Sequence, residues 1–296
     1  MDIYLDNMEN TLFGEEKIKN PSLRKRFIEN PYSVLKTKQE KKKKRKKKWL
    51  ELGIKSEIGR KTNTLKYSKT LLETRKSYTG TSIFDGALTE LMYKWFCIDG
   101  GKILDPFAGG SVRGIIANYL GYKYTGIELR EEQVENNKEQ AQNILPNNIP
   151  NWICGDSDKE LDNLNEEFDF IFSCPPYFNL EVYSDLTDDL SNMTHKDFLG
   201  KYNSIIKKSL SLLKVGGYAV FVVGEVRDKE GYYIDFVGDT KRLFIQNGAK
   251  LYNDMILLEN GLNTAAMRAG HLFLASKKVV KIHQNVLCFK KISTTS

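Results

Sequence analysis

Residues 100–120 read GGKILDPFAGGSVRGIIANYL. The stretch reads as turn, strand, glycine-rich loop and helix. Gly109 and Gly110 let the backbone come close to a ligand. Strand, glycine-rich loop and helix in that order expose free N–H groups at a helix N-terminus, a general way to hold an anionic or polar group. Alone, the pattern is equally a tight strand-to-helix connection.

The flanking sequence repeats the alternation. A helical pattern, FDGALTELMYKWFCI, precedes it, with Leu88, Leu91, Met92 and Trp95 on one face. YKYTGIEL is a second strand, REEQVENNKEQAQNIL a charged helix, NWICGDS a third strand and FDFIFSCPPY a fourth. KDFLGKYNSIIKKSLSLLKVGG reads as a helix capped by a glycine pair, YAVFVVGEV as a fifth strand, and FVGDTKRLFIQNGAK as a helix ending at glycine. LYNDMILLE and NVLCFKK are late strands. Strands alternating with helices predict an α/β fold with a doubly wound, mostly parallel sheet, and a ligand at the carboxyl ends of its strands. Residues 1–77 are charged and Lys-rich, and predict a basic, mainly helical N-terminal extension to a domain over 78–296.

Composition narrows the class. The 296 residues include 41% apolar residues, 15 Phe and 15 Tyr, enough for a large core. No apolar run approaches the roughly 20 residues that span a bilayer, so no membrane partner is expected. The polar, acidic N-terminus does not read as a signal peptide, which predicts a cytoplasmic location. Four scattered cysteines form no CxxC pair, and the three histidines lack ligand spacing, so neither a disulfide scaffold nor a zinc site is expected. The formal net charge of +7 is local: the run Lys41, Lys42, Lys43, Lys44, Arg45, Lys46, Lys47, Lys48 holds eight cations, and the rest sits near −1. Such a run is either a solvated helix or an arm for phosphates.

Each of four consecutive strand ends carries a polar or rigid feature. The first has the glycine loop. The second, GIEL, places Glu128 about twenty residues later, where an acid can bond ribose hydroxyls or cap the next helix. The third, CGDS, places Asp156 either toward an adenine amino group or at a helix N-cap. The fourth is Cys174-Pro175-Pro176-Tyr177. Singly these are weak, but as an ordered set they are strong.

DPFAGG, GIEL, CGDS and CPPYFNLEVYS together resemble the motifs of S-adenosylmethionine-dependent DNA methyltransferases of the exocyclic amino class, particularly those of phages and mobile elements. PYSVL, WLELGIKSEIGR, YTGTSIFDGALTELMYKWF, VVGEVRDKEGYY and KVVKIHQNVLCF look like that group too, so the likeness covers most of the chain. It implies a Rossmann-like methyltransferase fold with S-adenosylmethionine as cofactor. It implies Thr81, Ser82 and Phe84 near the methionine part, and Asp105, Phe107, Gly109 and Gly110 as a cradle. Glu128 would meet the ribose, with Asp156 and Ser157 near the adenine.

The chemistry gives a reason for the proline pair. The lone pair of an exocyclic amine is delocalised into its ring, and a rigid carbonyl accepting its hydrogen needs no reorganisation. The Pro175 carbonyl is the candidate acceptor, and Tyr177 would stack on a base flipped out of duplex DNA. The first position of this loop is usually Asp, Asn or Ser, whereas Cys174 is a weak acceptor. It is a compatible small residue, a thiolate acceptor, or a nucleophile for carbon-5 methylation with Glu225 as the acid. RNA methylation and cofactor binding without turnover are further alternatives. No separate target-recognition block is visible, so DNA contact is expected from the 41–48 run. Arg227, Arg268, His283 and Gln284 are cleft candidates that are equally structural hydrogen bonders.

Overall fold

The structure is a computed structural model that describes residues 27–36, 40–54, 84–177, 190, 193–228, 230–258 and 263–293; the side chains of 40–42 and 263–268 lie outside the description. In chain order the elements are β1 (Val34–Lys36), α1 (Glu40–Glu51), α2 (Gly86–Phe96), β2 (Lys102–Asp105), α3 (Val112–Tyr119), β3 (Lys123–Glu128), α4 (Glu131–Ile144), β4 (Asn151–Cys154), α5 (Ser157–Glu160), β5 (Phe168–Ser173), α6 (His195–Leu212), β6 (Leu213–Val223), α7 (Phe236–Gln246), β7 (Ala249–Leu258), α8 (Asn263–Ser276) and β8 (His283–Lys291).

The eight strands form one sheet in the order β1-β7-β8-β6-β5-β2-β3-β4. All neighbouring pairs are parallel except those of β8, which is antiparallel to both β6 and β7. Connections run outward from β2 through β3 to β4, and then restart at β5 on the other side of β2. The switch point therefore lies between β2 and β5, where open α/β sheets bind ligands. This is the Rossmann-like, doubly wound, mostly parallel sheet expected from the sequence.

Alternation along the central strands builds the two layers. Phe170, Phe172, Val220 and Val222 face α2 and α3 with Leu91, Met92, Tyr93, Ile115 and Ile116. Ile171, Ala219, Phe221 and Val223 face α6 and α7 with Phe198, Tyr202, Ile206, Phe236 and Phe244. Each wholly buried aromatic or aliphatic side chain contributes roughly 2 kcal/mol against exposure. Gly114 lets α3 lie close on the sheet: a Cβ there would stand 2.5 Å from Trp152 Cζ2.

Three expectations need correcting. The N-terminal region was poor in strand signals, yet β1 pairs with β7 and buries Leu35 in the main core. Its described part is thus continuous with the sheet. The glycine pair Gly216-Gly217 does not cap α6. That helix ends at Leu212, and β6 starts at once, carrying Gly216 at φ +84° beside a register shift against β5. Finally, Arg45 is not part of a phosphate-facing run. It is buried, with its guanidinium 2.8 Å from Glu90 Oε1. Trp49, one turn on, donates to Glu90 Oε2 at 3.1 Å. The basic helix α1 therefore turns one face inward onto α2, because a buried carboxylate and an indole-sized apolar site await it there.

Candidate active site

The carboxyl ends of β2, β3, β4, β5 and β6 share one edge of the sheet, and their loops converge there. Asp105 ends β2 and is completely buried. Its Oδ1 accepts from Ser173 Oγ (2.6 Å) and the Phe107 amide (3.2 Å); its Oδ2 accepts from Arg113 Nε (2.5 Å) and the Tyr124 hydroxyl (2.8 Å). Arg113 also donates to the carbonyls of Phe107 and Ala108. Burial would lower the Arg113 pKa, but the Asp105 charge outweighs it and holds the guanidinium charged. This carboxylate is consumed inside the protein. Its part in the cradle is to shape the Phe107–Gly110 loop and to tie it to the end of β5, one residue before Cys174.

The glycine loop is clamped from its other side by a closed ring of hydrogen bonds. The Gly109 amide donates to Glu128 Oε2 (3.0 Å), and the Arg130 guanidinium donates to Glu128 Oε1 (3.2 Å) and Gln133 Oε1 (3.2 Å). Gln133 donates to Asn137 Oδ1 (2.9 Å), and Asn137 donates back to the Gly109 carbonyl (2.8 Å). Gly109 itself sits at φ +52°, the left-handed region where glycine costs least. Gln133 and Asn137 are buried on one face of α4, four residues apart. Nothing in the sequence singles this pair out, since the helix carries four further amides, Asn136, Gln140, Gln142 and Asn143; it was missed, as were Arg113, Tyr124 and Arg130.

Glu128 ends β3, with its side chain 12% exposed. The same carboxylate that would accept ribose hydroxyls also holds the glycine loop. Asp156 does cap a helix: its Oδ1 accepts from the Asp158 amide (3.1 Å), while Oδ2 lies 2.9 Å from Lys201 of α6. Ser157 donates to the Pro106 carbonyl (2.5 Å), linking the third strand exit to the first. Phe84 lies against this network, its ring 4.5 Å from the Arg113 guanidinium and edge-on to Phe172. Thr81 and Ser82 lie outside the described residues.

In the fourth loop, Pro175 is buried, Cys174, Pro176 and Tyr177 are half-buried, and Cys174 packs on the first core layer. The Tyr177 ring meets Phe236 edge-on at 6.2 Å. Beside it β6 ends at Val223, and a Cβ on Gly224, the next residue, would stand 3.6 Å from the Tyr177 hydroxyl and 3.7 Å from Lys281 Nζ. Glu225, next in the chain, accepts from the Val237 amide at 3.1 Å and so caps α7, whose own N-cap Asp235 makes no side-chain cap bond. Arg227 stacks on Tyr233, 3.8 Å from ring centre to guanidinium, and donates to the Gly231 carbonyl (2.7 Å). Burial, and then Lys281, lower the pKa of His283 at the start of β8. In α1, Lys43, Lys44, Lys46, Lys47 and Lys48 are exposed, while the side chains of Lys41 and Lys42 are outside the description.

The donor set fits S-adenosylmethionine. Gly109 and Gly110 open the loop backbone, α3 begins just behind it, Glu128 offers a carboxylate at the end of β3 that could accept ribose hydroxyls, and the Cys174–Tyr177 loop stands across the switch point.

Comparison with known proteins follows the same line. The family model N6_N4_Mtase, described as DNA methylase, matches residues 3–139, a stretch that ends before Cys174. A release factor glutamine methyltransferase of Clostridium botulinum is 32% identical over 135 residues, covering 42% of this chain and 47% of that protein. The chain thus spans about half the length of that curated relative. Among solved structures, a candidate RNA methyltransferase of Pyrococcus horikoshii superposes with a TM-score of 0.49 at 16% identity, over 85% of this chain and 98% of that one. A TehB-like SAM-dependent methyltransferase of Corynebacterium glutamicum gives 0.44 at 18%, over 72% and 90%. By the match over residues 3–139, the chain is similar to the N6/N4 DNA methylases, a likeness that implies S-adenosylmethionine as cofactor.

Proposed function

We propose that this protein methylates an exocyclic amino group, N6 of adenine or N4 of cytosine, in a base flipped out of duplex DNA. The observation that carries the reading is the bond from Ser173 to Asp105. It fixes the Cys174–Tyr177 loop against the loop that would hold the cofactor, so acceptor and donor are set in one rigid frame. When bound, S-adenosylmethionine supplies an electrophilic methyl group. The chain supplies the rest. The Pro175 carbonyl accepts an amine hydrogen, Tyr177 stacks on the base, and the half-buried position of Cys174 limits water beside the amine. Glu128 and the Phe107–Gly110 loop hold the cofactor, with Asp156, Ser157, Thr81, Ser82 and Phe84 around it. The exposed lysines of α1 contact phosphates without choosing a sequence. Such an enzyme would work in the cytoplasm of a bacterium or a phage-infected cell.

The similarity to a release factor glutamine methyltransferase favours one other reading, a protein amide nitrogen as acceptor. An amide lone pair is delocalised as an aryl amine's is, and the same rigid loop suits both. One experiment separates them. The protein is incubated with radiolabelled S-adenosylmethionine and, in parallel, unmethylated duplex DNA, RNA, or a release factor. Products are identified by mass spectrometry. N6-methyladenine or N4-methylcytosine supports the proposal; 5-methylcytosine would make Cys174 a nucleophile; label only in RNA or protein overturns the DNA reading.

A further inference from the structure

The chain between β7 and β8 has a position and a composition that the site above does not use. β7 runs parallel to β6, and β8 runs back against both, with Leu258 opposite His283 and Val223 opposite Asn285. The connection therefore leaves and re-enters the sheet at the edge where the candidate active site lies. Residues 263–283 contain Arg268, Lys277, Lys278 and Lys281 and not one acidic residue. The last turn of α8 exposes Leu272, Phe273 and Leu274 together, with Leu274 77% exposed, and Lys277 lies 5.0 Å from the Phe273 ring. The inner end reaches the candidate catalytic loop, since Lys281 Nζ and the Tyr177 hydroxyl flank Gly224. The outer part is continuous with the loop after β6. There the Lys278 side chain lies over Gly231, and Tyr232 is 69% exposed.

We propose that this connection, from the last turn of α8 to Lys281, is a DNA-contacting surface that holds the duplex beside the flipped base. The inference rests on the DNA reading above and deepens it. Cations interleaved with exposed apolar and aromatic side chains suit phosphates together with sugar or base faces. A second copy of the chain is the poorer occupant, because it would set the four cations of residues 263–283, which hold no acid, against the same four, and of the exposed acids beside them, Asp228 and Glu230, the first is already engaged by the Gly231 and Tyr232 amides.

The test measures binding of a fluorescein-labelled 30-base-pair duplex by anisotropy between 50 and 200 mM KCl, with S-adenosylhomocysteine present. Wild type is compared with the double variant Lys277→Gln/Lys278→Gln. Loss of two phosphate contacts is expected to weaken binding about tenfold at the lower salt and to flatten the log–log salt slope by about two. Amide hydrogen exchange over residues 271–282 should slow when duplex is added to wild type. Cofactor-product binding and thermal melting of the variant report that its fold is intact. If wild type binds and methylates the duplex while the variant keeps its affinity and slope, this inference falls and the proposed function stands. If wild type neither binds nor methylates duplex DNA, both fall. A dimer that Leu274→Asp dissociates, with duplex affinity unchanged, assigns the surface to a second copy and overturns the inference.

Discussion

Asp105 illustrates how a single side chain can serve a site without touching its ligand. Four donors from four separate places in the chain meet on one buried carboxylate. Asp105→Asn removes the charge that compensates Arg113, and a buried unpaired guanidinium costs about 3 kcal/mol. Urea unfolding should show that loss, and Kd for S-adenosylmethionine should rise with it as the loop loosens. Tyr177 makes the opposite kind of prediction. If it stacks on the base, Tyr177→Ala lowers kcat/KM on DNA by roughly 10- to 100-fold, whereas Tyr177→Phe keeps most of it, because the stacking face and not the hydroxyl is used. An equal loss in both variants would assign the hydroxyl a role instead. The sequence shows Asp105 at a strand end, and the family resemblance implies a cradle role for it. What it hides is that Ser173, 68 positions away, bonds the same carboxylate. Side-chain partners set by tertiary packing leave no periodic trace. Gln133 and Asn137, one helical turn apart, are hidden among the four other amides of their helix.

At the scale of the element, α1 shows how composition misleads. Eight consecutive cations read as a uniformly solvated or phosphate-binding run, but a helix must turn some face to the protein, and here that face is Arg45 and Trp49. Burial raises the Glu90 pKa, with Arg45 and then Trp49 opposing it. Arg45→Ala strands that carboxylate and should cost about 3 kcal/mol in urea unfolding, while Arg45→Met with Glu90→Leu recovers most of the loss. Lys43→Ala on the same helix should leave stability unchanged within about 0.5 kcal/mol. The seat of α3 is a second case. Gly114→Ala drives a methyl into Trp152 and should destabilise by about 1–3 kcal/mol, read as a lower melting temperature. Strands with both faces buried, such as β5 and the Ala219–Val223 half of β6, were plain in the sequence because apolar runs that end at Gly or Pro have few other uses. β1 was not plain. Three residues carry too little pattern, and its place depends on β7, more than two hundred positions later.

For the whole molecule, charge pairs join neighbouring elements. Asp158 of α5 reaches α6: burial pushes its carboxyl up, but hydrogen bonds from Ser204 and Lys208 outweigh this and hold it below its ordinary value of 3.8. A depressed carboxyl stabilises the fold above the unfolded-state value, and that stabilisation is lost as pH falls through the folded one. The melting temperature should therefore drop below about pH 4, and the gap between wild type and Asp158→Asn should close over the same range. A gap that stays constant down to pH 2.5 would show that the pair contributes nothing through its charge. Among the described residues, no helix is long and apolar enough to cross a membrane.

The single reversed strand, β8, has an effect on how such a molecule can diversify. Because it returns from the same edge that β7 reaches, whatever is inserted before it is delivered to the substrate side, while the glycine loop, Glu128 and α4 sit beyond β2 and are untouched. If the proposed function holds, exchanging the connection between β7 and β8 is a graft on the acceptor side that leaves the proposed cofactor loops intact.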